Sequence, residues 1–172
     1  SCIEALKVIN TYALDYEIPN SPYSESIVDI IIKLLDSDNI FIVKNVLLVI
    51  SNAFSHEKTN LIENLLFDRD ILKIIHDSFI KWESQIFVEI LYVISNMVAT
   101  SEGCRDSILQ NFKPIELEIL ISSIISYKDC SEETQERFKK KCKFFLKKLC
   151  QYELESEIAV EVFNLLFELK KS

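Results

Sequence analysis

Three asparagines recur at matching positions in this chain, and their side chains are the first candidates for a functional role. Asn10, Asn52 and Asn96 each end an apolar run that reads Ile-Asn or Ile-Ser-Asn, and they lie 42 and then 44 residues apart. A side-chain amide donates and accepts hydrogen bonds, so it costs free energy within an apolar helix unless it finds a partner. Three asparagines in register therefore predict one shared structural position, and the chemistry they offer is hydrogen bonding.

The elements that carry these asparagines are predicted to be helices. Apolar residues recur at helical spacing throughout, and a single glycine leaves little material for hairpins, which argues against strands. Ser24 or Ser26, the polar break 36–39, Ser101 and Ser131 are predicted to supply helix caps, and Pro114 is predicted to lie in a first turn. The predicted helices are 24–35, 40–54, 57–67, 69–82, 85–99, 102–112, 114–126, 131–151 and 153–170.

The spacing of the asparagines also predicts how the helices are arranged. A period of roughly 43 residues with three helices in each unit is the layout of armadillo repeats. The predicted fold is therefore all-α, a right-handed armadillo- or HEAT-like solenoid of about three to four repeats in one domain. Residues 1–14 would hold the last helix of a partial repeat, 24–67 and 69–112 two repeats, and 114–172 an atypical terminal repeat with a capping helix.

Composition excludes several classes of function. A single glycine rules out a glycine-rich phosphate loop. The longest apolar runs, such as 27–35, contain charges and are too short to insert across a membrane. His56 and His76 stand alone, so we expect no metal, no cofactor and no catalytic residue. Five cysteines without a Cys-x-x-Cys pair favour reduced thiols and a cytoplasmic or nuclear location.

The charge is unevenly distributed along the chain. Between residues 131 and 150 there are seven basic and three acidic residues, a net of +4, so the remainder of a chain of net charge −8 carries −12. An acidic body disfavours nucleic acid as the main partner, because phosphate contacts dominate that affinity. It favours a protein or peptide partner that is basic. The basic residues at 137–148 are interpreted as the solvated face of one helix.

Two segments resemble the armadillo repeats of importin-alpha. Residues 92–99 read Tyr-Val-Ile-Ser-Asn-Met-Val-Ala, and residues 101–109 read Ser-Glu-Gly-Cys-Arg-Asp-Ser-Ile-Leu. They are similar to repeats in which a Trp-x-x-x-Asn helix precedes a small-residue turn and Cys-Arg-Asp-x-x-Leu. Residues 51–53, Ser-Asn-Ala, are similar but weaker. The resemblance spans nearly the whole chain as architecture and is specific over about twenty residues near Asn96.

The resemblance implies a binding groove. In that family, successive third helices line a concave face that holds a basic nuclear-localisation peptide, with asparagine amides on the peptide backbone and tryptophan faces around its lysines. Tyr92 stands at one tryptophan position, whereas Leu6 and Leu48 stand at two others and supply no cation–π attraction. The resemblance implies Asn10, Asn52 and Asn96 as peptide-binding residues, with Leu48 and Tyr92 at tryptophan positions. Asn45 and Glu89 lie seven residues before Asn52 and Asn96, so we expect them on the same side of the helix, where only Glu89 offers charge.

Two hypotheses of function follow, and neither is an enzyme. The first is an adaptor that binds an extended basic peptide, such as a nuclear localisation signal, on an asparagine-lined face. The second is a scaffold or regulatory subunit that docks a helix or folded domain by apolar contact. The asparagines and the acidic body favour the first, and the missing tryptophans favour the second. The asparagines also have a structural alternative, in which each amide bonds a neighbouring helix and fixes the stacking of repeats.

Overall fold

The computed structural model describes residues 4–8, 23–55, 61–151 and 154–171, and every regular element in them is helical. This confirms the all-α prediction for those ranges. Asn10 and His56 lie outside the described residues. Residues 4–8 are helical, and a short 3₁₀ helix, Glu83–Ile86, follows α4. The helices are α1 (Ser24–Leu35), α2 (Ile40–Ala53), α3 (Leu61–Asp68), α4 (Ile71–Trp82), α5 (Phe87–Thr100), α6 (Glu102–Asn111), α7 (Pro114–Ser126), α8 (Glu132–Leu149) and α9 (Ser156–Lys171).

Three of the predicted caps are present. Asn39 Oδ1 accepts a hydrogen bond from the backbone N–H of Phe41 at the start of α2, at 3.0 Å. Ser101 and Ser131 cap α6 and α8 in the same way, each at 3.2 Å from a backbone nitrogen of the first turn. These side chains satisfy N–H groups that have no partner within the helix. Pro114 begins α7, as its spacing predicts.

The cap of α1 and the starts of α4, α5 and α9 differ from the prediction: α5 begins at Phe87 rather than residue 85, and α9 begins at Ser156 rather than residue 153. Neither Ser24 nor Ser26 caps α1, because Tyr23 occupies the cap position without a side-chain bond and Ser24 is buried within the helix. Helix α4 begins at Ile71 rather than Arg69. Asp70 adopts a left-handed backbone conformation with φ 53°, which no α-helix can continue through.

Helices α2, α5 and α8 lie side by side, with α5 between the other two. All three bury apolar residues, and α5 is covered on most of its sides. A helix that is apolar nearly all round requires such cover. We call α2, α5 and α8 the central helices. Their largest fully buried side chains include Leu47 and Ile50 on α2, Ile90, Leu91 and Ile94 on α5, and Phe145 on α8.

The other helices pack against the central ones and against each other. Helix α1 contacts α2, α3 and α4, α4 contacts α6, and α7 contacts α5, α8 and α9. Asp29 of α1 forms an ion pair with Arg69, and His76 Nε2 of α4 lies 2.9 Å from Glu116 Oε2 of α7. In the described part of the chain, no helix combines the length and the apolar character needed to cross a membrane.

Replacing Ile94 by alanine tests the central position of α5. Ile94 is fully buried, so Ile94→Ala removes buried methyl groups and leaves a cavity, and we expect a loss of about 2–5 kcal/mol in the free energy of unfolding measured with urea. The matched control is Ile119→Ala on α7, where the side chain is 47% exposed and the expected change is within about 0.5 kcal/mol. Equal losses for the two variants would contradict the placement of α5.

Candidate protein-binding site

The side chain of Asn96 joins all three central helices. Its Nδ2 donates to the backbone carbonyl of Ser51 at 2.8 Å and contacts Ser51 Oγ at 2.9 Å, both on α2. Its Oδ1 accepts from Lys141 Nζ of α8 at 3.2 Å. The two partners lie 45 residues before and 45 residues after Asn96. The amide therefore makes the inter-helix bonds that the stacking interpretation predicts.

The other two asparagines in the described part of the site differ from Asn96. Asn45 donates from Nδ2 to the backbone carbonyl of Phe41 at 2.7 Å, within its own helix. Asn52 is half-buried at the end of α2, where its backbone carbonyl accepts from Ser55 Oγ at 2.7 Å. The predicted position of Asn10 is not among the described residues. Asn45, which lies seven residues before Asn52, thus bonds its own helix, whereas Asn96 bonds two neighbouring helices.

A lysine of the chain itself contacts the Tyr92 ring and the Asn96 amide, which were expected to bind a lysine of the ligand. Lys141 Nζ lies 5.0 Å from the centre of the Tyr92 ring and 5.2 Å from the centre of the Phe144 ring. It also bonds Asn96 Oδ1, as described above. The ring faces attract the ammonium group, whereas burial lowers the pKa of Lys141. This intramolecular contact links α8 to the predicted site.

The one acidic residue predicted in the site is paired. Glu89 Oε1 lies 3.7 Å from Lys44 Nζ, and this ion pair connects α5 to α2. Leu48 lies one turn after Lys44 on α2 and is 51% exposed. The predicted site therefore contains the exposed aliphatic side chain of Leu48 and the carboxylate of Glu89, whose charge is balanced by Lys44.

The central helices have one outward surface in common, which we call the shared face. It contains Leu48 of α2, Tyr92 of α5 and Phe144 of α8, because the Lys44–Glu89 and Asn96–Lys141 contacts fix the relative rotation of the three helices. Helical spacing from Phe144 places basic residues of α8 on the same side. These residues are Arg137, Lys140, Lys147 and Lys148. The basic segment, which sequence reasoning considered separately from the asparagines, thus adjoins them.

A groove of about 610 Å³ opens beside the shared face. The first turns of α2 and α5, the end of α7 and the first half of α8 form its walls, with Phe41, Val88, Tyr127 and Phe138 among its apolar side chains. Phe41 is 68% exposed. Sequence reasoning did not find this groove, because it is built from four separate segments. Two of its lining residues had a signal: Glu89 was a predicted site residue, and Phe41 lies two helical turns before Leu48.

The histidine and cysteine side chains of the described residues are possible metal ligands and reactive groups. The described residues contain no group of three or more histidine, cysteine or acidic side chains arranged to hold a metal ion. His76 lies against the carboxylate of Glu116 and the rings of Phe79 and Phe112. The described cysteines are free thiols. Burial raises the pKa of Cys142 to about 12, so this thiol stays protonated and unreactive at neutral pH.

No protein-family model, no curated protein and no solved structure matches this chain. The all-helical fold and the geometry of the shared face are therefore the basis of the functional argument.

Replacing Asn96 by alanine distinguishes a structural role from a ligand-binding role. Asn96→Ala leaves the buried Ser51 carbonyl and Lys141 Nζ without their amide partner, so we expect a loss of about 1–3 kcal/mol in the free energy of unfolding. Asn45→Ala is the control, because that amide bonds its own helix and the expected loss is within about 0.5 kcal/mol. Unfolding curves in urea measure both, and an unchanged Asn96→Ala protein would contradict the stacking role.

The pH titration of Lys141 tests the burial of its ammonium group. Because desolvation disfavours the charged form, Lys141 should lose its proton below the ordinary lysine value of 10.5. The folded protein then binds this proton less tightly than the unfolded chain, so the contribution of Lys141 to stability rises as pH increases through its folded pKa. NMR of ¹³C-methylated lysines measures this titration, with Lys141→Arg identifying the resonance. Titration at or above 10.5 would contradict the placement.

Proposed function

We propose that this chain is a non-enzymatic helical-repeat scaffold that binds a protein partner on its shared face. The observation that carries the proposal is the combination of exposed apolar residues, Leu48 and Phe41, with polar groups that are already paired inside the protein. Contiguous apolar groups at a surface favour protein–protein contact. In the same proposal the protein works in the cytoplasm or nucleus, which the free thiols of the described cysteines support.

Contacts at regular separations support an armadillo- or HEAT-like solenoid as the architecture of this scaffold. The bonds of Asn96 join residues 45 positions apart on neighbouring central helices. Outside the central helices, the Asp29–Arg69 and His76–Glu116 contacts each join residues 40 positions apart. Contacts that recur at about one repeat length are what a solenoid requires, because each repeat packs against its neighbours.

The polar groups of the predicted site are already paired within the protein, and this favours apolar docking over the binding of a basic peptide. Glu89 is compensated by Lys44, and Lys141 already contacts Tyr92 and Asn96. An incoming lysine would therefore have to displace Lys141 and would meet no uncompensated carboxylate at Glu89. Leu48 and the groove need no such displacement.

One observation keeps an extended basic peptide as the second candidate. The contacts of Lys141 show that the Tyr92 ring and the Asn96 amide hold an ammonium group at this position. A peptide lysine in place of Lys141 would use the same ring and amide. This candidate predicts that binding is salt-sensitive and depends on Glu89, whereas apolar docking depends on Leu48.

Leu48→Asp tests apolar docking. The substitution places a charge in the contact, where it would lose solvation without gaining a partner, so we expect affinity for the partner to fall by at least about tenfold. Leu48 is half exposed, so the free energy of unfolding should change by no more than about 0.5 kcal/mol. The measurement is quantitative pull-down with the immobilised chain, followed by mass spectrometry of the retained proteins.

The matched control is Ile80→Asp on α4, which changes an exposed isoleucine outside the central helices. Partners of the shared face are the proteins that Ile80→Asp retains and Leu48→Asp loses. If no protein shows this pattern, apolar docking on the shared face is wrong. If lysine-rich segments bind, are lost with Glu89→Gln and persist with Leu48→Asp, the basic-peptide candidate is correct instead.

A further inference from the structure

The outward side of α8 carries positive charge that no ion pair among the described residues neutralises. Arg137, Lys140 and Lys147 are exposed, and no carboxylate of the described residues forms an ion pair with them. The nearby acid Glu136 pairs with Lys139 at 3.4 Å. Helix α8 therefore has an uncompensated basic surface, although the chain as a whole has a net charge of −8.

These charges repel one another within the helix. Lys140 and Lys147 lie two turns apart on one side, and Arg137 lies three residues before Lys140. Like charges at such spacing destabilise an isolated helix. Stacking of the central helices uses Lys141, but it does not use the exposed basic residues around it. A function other than stacking would account for their presence.

Apolar groups lie among the same charges. Phe144 is 38% exposed, and Lys141 Nζ and Lys148 Nζ lie 5.2 and 5.8 Å from its ring centre. Phe138, on the first half of the same helix, lines the groove beside Phe41. A ligand on the outward side of α8 would thus meet basic side chains around the Phe144 ring, whereas Phe138 lies on the side of α8 that faces the groove.

We infer that the shared face binds an acidic segment of a protein partner, with carboxylates on α8 and apolar side chains in the groove. The inference rests on the proposed function and adds the charge of the partner. Arginine and lysine pair with carboxylates through charge-assisted hydrogen bonds, and complementary charge speeds encounter and selects the partner. The position of the charges therefore favours an acidic partner, opposite to the basic partner that the net charge of the chain suggested.

Nucleic acid is another polyanion that could bind a basic surface. Its affinity comes mainly from many phosphate contacts, whereas this basic surface is confined to one helix of an otherwise acidic chain. The adjoining groove is lined by Phe41, Tyr127 and Phe138. Apolar side chains of a protein segment suit this groove, so we favour an acidic protein segment as the ligand. The experiment below includes RNA as the competing ligand.

Three fluorescein-labelled peptides of equal length test the inference. They share phenylalanine and leucine at the same positions and carry glutamate, lysine or glutamine at the others. Fluorescence anisotropy with the full chain should give an affinity for the glutamate peptide at least about tenfold above that for the lysine peptide at low ionic strength. The difference should shrink as salt is added, because exposed charges are screened.

The double variant Lys140→Glu with Lys147→Glu should reverse this preference. The control double variant, Lys33→Glu with Lys73→Glu, makes the same change in net charge at exposed positions of α1 and α4, outside the shared face. The control should retain the preference for the glutamate peptide. Circular dichroism of both variants checks that they keep the helical fold.

Three results would overturn the inference: a lysine peptide that binds at least as tightly as the glutamate peptide, an equal loss of preference in both double variants, or a single-stranded RNA oligonucleotide that binds more tightly than the glutamate peptide. The proposed function fails in a different way. If Leu48→Asp leaves the affinity of all three peptides unchanged while the charge variants act as expected, the acidic segment binds without apolar docking.

Discussion

Helix α5 is apolar on nearly every side, so it is stable only where neighbouring helices cover it, and α2 and α8 supply much of that cover. Burial of this kind leaves little tolerance for an unpaired polar group. Asn96 lies at the edge of the buried surface, and its amide meets that constraint by bonding both neighbours. Burial of apolar side chains therefore holds the central helices together, and the Asn96 amide fixes how they align with one another.

The hydrogen bonds of Asn96 to α2 have no full counterpart between α5 and α8. Ser95 is completely buried, and its hydroxyl has no hydrogen-bond partner. Ser51 has one because α5 supplies Asn96, whereas α8 contains no asparagine and its Lys141 bonds Asn96 instead. The third central helix therefore joins the stack through a lysine. Its ammonium group is more costly to bury than an amide, which is consistent with the lowered pKa of Lys141.

Contacts within the protein also determine which surface groups are available to a partner. Glu89, Tyr92 and Asn96 are residues that could recognise a basic peptide, but their contacts with Lys44 and Lys141 use them within the protein. What remains exposed is apolar on α2 and basic on α8. In the proposal made above, this surface binds an acidic and apolar ligand, with the apolar side chains of the ligand towards α2 and its carboxylates towards α8.

Much of the helical layout was determined by the sequence, because helix formation is local. The caps Asn39, Ser101 and Ser131 act on nitrogens two or three residues away, so spacing along the chain was enough to identify Ser101 and Ser131 and the four-residue break that contains Asn39. The start of α4 was predicted two residues early, because the left-handed conformation of Asp70 leaves no mark in the apolar pattern. Periodicity also showed that α2 and α5 require cover on most of their sides.

Only the tertiary structure decided how the candidate residues are used. The partners of Asn96 lie 45 residues away in both directions, and no pattern in the chain shows that Asn45 bonds its own helix while Asn96 bridges two others. The contact of Lys141 with Tyr92 brings the basic helix onto the shared face, and the groove combines four separate segments. Side-chain rotation and exposure depend on which helices become neighbours, so these features follow from packing and not from the residue types alone.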